Sequence, residues 1–262
     1  MTARVAAITS RDNPLLMRAR RLAGHPDAYR RIGQVLLEGE HLCEAWIAQR
    51  GGAGVEAIVS VGAWDRPAPR RLAQAAERVA VVEASLMPSA GTVDPQAALA
   101  FLAPWPGVGS LDVDASGVLL DRLQDAGNVG TILRSAAAFG CTQVVALKGT
   151  AALWSCKVLR AAMGAHLSLR LVEAVDDGVA AAWRVPLLAT SSHGGEALHR
   201  SELPWPCAWA FGNEGQGLSD AIAARCARRL RIEQPGGQES LNVAAAAAIC
   251  LYESARRRLD GR

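Results

Sequence analysis

From residue 117 to residue 232 the chain repeats one pattern: a short, largely apolar run followed by a segment long enough for a helix. The runs fall at 117–120, 143–147, 167–172, 186–189, 207–211 and 229–232. Most lack polar alternation, so neither face of the strand they form is suited to water. Strands buried on both faces and joined by helix-length connections predict an α/β fold, a mostly parallel sheet with helices on both faces. A final helix is expected over 241–258, with Ala, Ile and Leu inward and Arg256, Arg257 and Arg258 at its C-terminal end.

Ahead of this region the periods also alternate, over shorter elements. Asn13 can cap a helix that has Pro14 in its first turn and closes near Gly24. Strands are predicted at 35–37, 55–61 and 79–82, with helices at 40–49 and 70–78, which makes a small α/β unit. Residues 103–116 carry Pro104, Pro106, Gly107 and Gly109 and break every periodicity. The predicted organisation is an N-terminal domain at 1–103, a linker at 104–116 and a C-terminal domain at 117–262.

With 262 residues, 50% of them hydrophobic and 20% charged, disorder and fibrous repeats are excluded. The longest wholly apolar run, 243–252, is too short to span a bilayer, and residues 5–8 are too few for an export signal. Neither a membrane span nor an export signal is therefore expected. The six cysteines are scattered without metal-ligand spacing, so buried thiols in a reducing, cytoplasmic compartment and no bound metal are expected. Net charge is only +3, yet Lys148 and Lys157 are the only lysines among 28 basic residues. Arginine suits phosphate and stacked bases, although a general Arg-for-Lys bias gives the same composition. Arg4, Arg11, Arg18, Arg20, Arg21, Arg30 and Arg31 lie close together near the start, and Arg225, Arg228, Arg229 and Arg231 form a second group.

Ligands of open parallel sheets sit beyond the carboxyl ends of the strands, and three polar, glycine-bearing segments fall there. The first runs from Asp121 to Arg134 and holds Asn128, placed to cap the following helix. The second, Gly212-Asn-Glu-Gly-Gln-Gly-Leu218, can bring backbone N–H groups close to a ligand. Its glycine order is not that of a dinucleotide or phosphate loop. Glu214 would repel phosphate and better suits a cation or a donor group. In the third, Pro235-Gly-Gly leads to Ser240 and Asn242 at the start of the last helix. His193 and His199, on a loop beside Gly194 and Gly195, read as surface histidines.

Together, Asn128-x-Gly130-x-x-x-Arg134, Gly212-Asn-Glu-Gly-x-Gly-Leu218 and Pro235-Gly-Gly-x-Glu-Ser-Leu-Asn-Val243 resemble the three motifs of the SpoU (TrmH-type) RNA 2′-O-ribose methyltransferases of the SPOUT superfamily. Residues 35–101, with Leu-Leu-Glu-Gly-Glu-His-Leu at 36–42, resemble the small substrate-binding domain, similar to a ribosomal protein, that precedes the catalytic domain in many members. The resemblance implies a trefoil-knotted C-terminal domain binding S-adenosylmethionine, a homodimer, and methyl transfer to a ribose 2′-hydroxyl of ribosomal or transfer RNA, with ribosomal RNA favoured. It places Gly212, Ile232 and Leu241 at the cofactor, and Asn128, Arg134, Glu214, Ser240 and Asn242 in the catalytic set. A guanidinium with a pKa above about 12 is a poor base, so Arg134 is expected to stabilise a developing alkoxide or grip the adjacent phosphate. Glu214, Ser240 and Asn242 are expected to orient Arg134, the ribose and the cofactor.

The sequence departs from the family pattern at Glu233 and Gln234, where Pro and Met are usual, and at Ala126, often Pro. A glutamate beside the pocket would alter its rim or favour a cationic sulfonium. The competing reading is a noncatalytic RNA-binding protein that retains the fold.

Overall fold

The computed structural model describes residues 3–87, 97–191, 194–237 and 240–261; His193 and Glu239 lie outside them. Two compact units emerge, Met1–Gly107 with Trp154–Leu167, and Val108–Leu153 with Ser168–Arg262.

The first unit holds five strands, β1 (Arg4–Ile8), β2 (Gln34–Glu38), β3 (Glu56–Ser60), β4 (Arg78–Val82) and β5 (Leu99–Pro104), in the order β1-β4-β3-β5-β2. β5 runs antiparallel to both neighbours, and the remaining pairs are parallel. Helix α1 (Pro14–Gly24) starts as the sequence predicts: Asn13 Oδ1 accepts from the Leu15 N–H at 2.9 Å, with Pro14 in the first turn. Two strands escaped prediction. β1 pairs only with β4 and keeps almost all its side chains exposed, so it carries no buried face to read. β5 lies directly before the Pro/Gly-rich stretch, and the linker predicted at 104–116 begins inside it, because Pro104 is tolerated as the last residue of a strand.

Residues 154–167 also pack in this unit, although the sequence places them within 117–262. Helix α7 (Cys156–Ala162) buries Cys156, Val158, Leu159 and Ala162, and the Cys156 thiol lies 3.6 Å from the Leu22 carbonyl oxygen. A helix with an apolar face goes wherever that face is covered, and here the cover is the first unit's sheet.

The second unit is a seven-stranded, fully parallel sheet of β6 (Gly117–Asp121), β7 (Gln143–Leu147), β8 (Arg170–Val175), β9 (Leu187–Thr190), β10 (Glu196–Ala197), β11 (Ala208–Gly212) and β12 (Arg228–Arg231). Their order is β10-β12-β9-β11-β6-β7-β8. β8 starts three residues later than predicted because Ala165–Leu167 forms a 3-10 turn in the first unit. Much of the predicted linker is fixed to this sheet. Buried Gln143 donates to the Asp112 carbonyl at 2.7 Å and to that of Ala115 at 3.1 Å, and accepts from the Asp112 N–H. A buried amide needs partners, and the backbone at Asp112 and Ala115 supplies them.

From β6 the chain steps outward through β7 to β8, then crosses to the other side, where β11 inserts beside β6. The ends of β6 and β11 therefore adjoin at the point where the order reverses. The last helix, α10 (Val243–Leu259), packs against β11 and against α6 (Ala126–Ala138), and the Trp209 indole N–H donates to Ser254 Oγ at 3.0 Å.

Candidate active site

The segment after β6 carries Asn128, and its neighbour β11 runs into Glu214. Asp125, not Asn128, caps α6: its Oδ1 accepts from the Asn128 N–H at 2.7 Å. The expected cap is corrected for a simple reason. The helix starts two residues before Asn128, which puts that residue in the first turn and frees its amide. Asn128 Nδ2 donates to Glu214 Oε1 at 3.1 Å. Asn242 caps α10 through Oδ1, accepting from the Ala244 and Ala245 N–H groups, and its Nδ2 donates to Asn128 Oδ1 at 3.0 Å. Three motifs separated by 86 and 114 residues thus meet in one hydrogen-bonded chain.

Glu214 accepts further bonds from the Gln124 and Asp125 N–H groups, each at 3.4 Å. Partial burial pushes its carboxyl up, but bonds from its own backbone, from Asn128 and from those two N–H groups outweigh burial and hold it below the ordinary value. The site therefore presents an ionised carboxylate at neutral pH.

The loop holding Glu214 folds back on itself. Asn213 Oδ1 accepts from the Gly215 and Gln216 N–H groups, while its Nδ2 donates to the Arg122 carbonyl at 3.0 Å. A Cβ on Gly212 would lie 2.1 Å from the Gly217 carbonyl carbon, so only glycine permits the loop to close over its own strand end. Asp121, buried at the end of β6, accepts from the Ser219 N–H at 2.6 Å and pairs with Arg122.

Beside this corner lies a cavity of about 340 Å³. Gly212, Glu214, Ile232, Ser240, Leu241 and Asn242 all line it, and Asn128 joins through its bonds to Glu214 and Asn242. Arg134 stands apart. It is exposed on α6, six residues or about 9 Å along the axis from Asn128, and among the described residues it makes no hydrogen bond or ion pair. Among the described residues Glu214 and Asn242 bond to Asn128 rather than to Arg134. Glu233 is exposed and pairs with Arg231 at 2.5 Å, which offsets its charge at the rim. Gln234 lines the cavity, and its buried Oε1 accepts no hydrogen bond among the described residues.

Sequence reading missed Asp121, Asp125 and Asn213, which hold the loops, Asn213 also lining the cavity. Asp125 had a readable signal, an aspartate directly before a helical run. Asp121 and the Asn213 amide act on backbone groups far away in sequence and left none, whereas the Asn213 bonds to the Gly215 and Gln216 N–H groups are local. His199 is exposed and accepts from Arg200, as a surface histidine would.

The SpoU rRNA Methylase family model matches residues 116–252. A Synechocystis protein described as an uncharacterized tRNA/rRNA methyltransferase is 34% identical over 98% of this chain and 96% of its own length. The 23S rRNA (uridine(2479)-2′-O)-methyltransferase of Streptomyces viridochromogenes is 33% identical, but the match covers 57% of this chain and 55% of that protein. Among solved structures, an RNA 2′-O ribose methyltransferase superposes with a TM-score of 0.80 at 29% identity, over 97% of this chain and 100% of that one. The SpoU methyltransferase AviRb from Streptomyces viridochromogenes, in complex with AdoMet, matches in fold with a TM-score of 0.85 at 24% identity, over 95% of this chain and 100% of its own. The family model spans the strands, the loops and the hydrogen-bonded corner described above, and the chain belongs to the SpoU rRNA methylase family.

Proposed function

We propose that this protein transfers a methyl group from S-adenosylmethionine to a ribose 2′-hydroxyl of ribosomal RNA. The observation that carries the reading is the bond chain Asn242–Asn128–Glu214 at the rim of the cavity, which draws three distant motifs to one point.

The cavity fits the cofactor. Leu218, Ile232 and Leu241 give it an apolar wall suited to an adenine, Gly212 permits the loop to close, and the Glu214 carboxylate suits a positively charged sulfonium. When bound, S-adenosylmethionine supplies an electrophilic methyl group. The residues of this chain position and polarise. Glu214, held ionised by its hydrogen bonds, offsets the sulfonium charge and is too weak a base to deprotonate a ribose. Asn128 and Asn242 fix Glu214, and Ser240 offers a hydroxyl at the same rim. Arg134, exposed and without a partner among the described residues, would act from the RNA side, gripping the phosphate beside the ribose and stabilising negative charge on its 2′-oxygen.

The N-terminal domain binds the RNA substrate in this reading. Arg11, Arg20, Arg21, Arg30 and Arg31 are exposed there, whereas Arg18 pairs with Glu56 and serves the fold. The chain forms a homodimer through the C-terminal domain, a reading supported by the exposed Leu241, Ile249 and Tyr252. The return of α10 to α6 is the threaded segment of a trefoil knot. A cytoplasmic location agrees with the RNA substrate and with six free cysteines, of which Cys207 is pushed up to about 11 by burial. Among the described residues no helix is long and apolar enough to cross a membrane.

The test supplies labelled S-adenosylmethionine with ribosomal and, separately, transfer RNA from a strain lacking the gene, with Arg134→Ala as control. The expected result is a labelled 2′-O-methylnucleoside in the ribosomal pool that is lost in the control. Label in transfer RNA alone would move the substrate assignment. No label in either pool, together with no cofactor binding, would leave the protein a noncatalytic RNA binder.

A further inference from the structure

Four arginines lie on β12 or just before it, and their partners divide them. Arg228 pairs with Glu196 and donates to the Glu202 carbonyl, and Arg231 pairs with Glu233. Arg225 and Arg229 are exposed, and among the described residues neither makes a hydrogen bond or an ion pair.

Arg229 differs from Arg225 in what it faces. It lines a second cavity, of about 460 Å³, whose wall also includes Glu214. Thr190, Ser191, Asn213, Glu214, Leu218 and Ser240 line both this space and the cavity described above, so the two adjoin along those residues. The neighbours of Arg229 are small. Ala189 stands opposite it across the β9–β12 ladder, and Ala223, on the short helix Asp220–Ala223, lines the same cavity. Neither alanine has a polar group to meet a guanidinium or a side chain long enough to fill the space beside it.

The wall of the second cavity thus carries two opposite charges that do not pair with each other. The Glu214 carboxylate is occupied by Asn128 and by backbone N–H groups, while the Arg229 guanidinium, always protonated, offers its N–H donors to an oxyanion. A ligand bringing only negative charge, such as an RNA phosphate, meets repulsion from Glu214 as well as attraction from Arg229. A zwitterion complements both charges. The cofactor of the proposed reaction carries such a group, an amino-acid tail with a carboxylate and an ammonium beside the sulfonium.

We propose that the second cavity takes the amino-acid tail of S-adenosylmethionine, with Arg229 binding its carboxylate and Glu214 meeting its positive charge. The assignment rests on the cofactor reading given above and adds to it a subsite and a binding residue. It makes the carboxylate of the tail a determinant of recognition.

The test is calorimetric and needs no turnover. Wild-type protein, Arg229→Gln and Arg225→Gln are titrated with S-adenosylhomocysteine and with its analogue in which the carboxylate is replaced by hydrogen, each variant checked for unchanged thermal melting. Wild type should prefer the carboxylate-bearing compound about tenfold, the low end for a charged hydrogen bond because Arg229 is exposed to solvent. Arg229→Gln should bind S-adenosylhomocysteine about tenfold more weakly and bind the analogue as wild type does. Arg225→Gln, equally exposed but lining neither cavity, should match wild type with both compounds. A wild-type chain that does not distinguish the two compounds overturns the assignment and leaves the cofactor reading intact, an outcome that depends on no variant. So does a preference retained in Arg229→Gln, which hands the carboxylate to another group. An equal loss in Arg225→Gln overturns it too, by making the effect one of net charge. Unchanged S-adenosylhomocysteine affinity in Arg229→Gln, with more RNA needed for half-maximal methylation, overturns it in favour of an RNA phosphate. A wild-type chain that binds neither compound removes the cofactor reading, and this assignment with it.

Discussion

The corner around Glu214 and the polar groups outside it are built on opposite plans. In the corner Asn242, Asn128 and Glu214 partner one another, and backbone N–H groups from Gln124 and Asp125 complete the carboxylate. At Gln234 a buried acceptor has no donor among the described residues, and Arg134, exposed on α6, has no acceptor among them. Polar groups that complete one another make a frame whose geometry exists before any ligand arrives. An exposed group left incomplete is placed to meet a partner that arrives later. Such a division predicts that substitutions in the frame act through stability and position, and substitutions of the open groups act through binding and turnover.

Arg134 is the sharpest test of that division and carries the largest expected effect. Removing one preorganised donor at a developing charge typically slows an enzyme by about 10²–10³-fold. Arg134→Ala should show a loss of that size in methyl incorporation, while S-adenosylhomocysteine affinity is unchanged and stability stays within about 0.5 kcal/mol, as for other exposed side chains. Arg134→Lys should turn over slowly with the pH–rate profile preserved. A titrating limb lost in that variant would make the arginine a proton acceptor and break the electrostatic assignment. A clear fall in melting temperature with normal turnover would place Arg134 in the frame instead.

The same division explains what was legible in the sequence. The inner strands of the parallel sheet could be read because they are largely apolar on both faces, and β7 matches its predicted range, whereas the two-residue, partly exposed β10 was not read. β1 could not, since an edge strand with exposed side chains carries no burial signal. Gly212, Ile232 and Leu241, the residues singled out by family resemblance, line one cavity. The partner of Asn128 was not legible, because a bond across 86 residues depends on β11 inserting beside β6. The orphaned oxygen of Gln234 was not legible either. The sequence showed a departure at that position, and only the structure shows its oxygen buried without a partner among the described residues.

Asn242 belongs to the frame twice, as the cap of α10 and as the donor to Asn128, and two substitutions separate the roles. Asn242→Ala removes both. Loss of a cap costs about 1 kcal/mol, which lowers the melting temperature of a domain this size by roughly 2–4 °C. Asn242→Asp keeps an oxygen for the Ala244 and Ala245 N–H groups but has no N–H for Asn128. It should recover most of the melting temperature and little of the turnover. Full recovery of both would show that the bond to Asn128 is not needed to hold Glu214.

The smallest expected effect is a pH dependence, and its sign follows from Glu214. Hydrogen bonds to the ionised form lower its folded pKa, so its contribution to stability is complete above the unfolded carboxylate value of about 4.3 and is lost as pH falls through the lower folded value. Glu214→Gln cannot ionise and has no such dependence. Wild type should therefore melt at a higher temperature than Glu214→Gln at neutral pH, with a gap that closes as the pH is taken below about 4.3. The carboxylate is largely exposed, so solvent screens these bonds and the gap should be smaller than the Asn242→Ala shift. A gap that stays constant from neutral pH down to about pH 3 would mean that the bonds favour the shape of the group rather than its charge. The corner would still be a frame, but not one tuned to a cation.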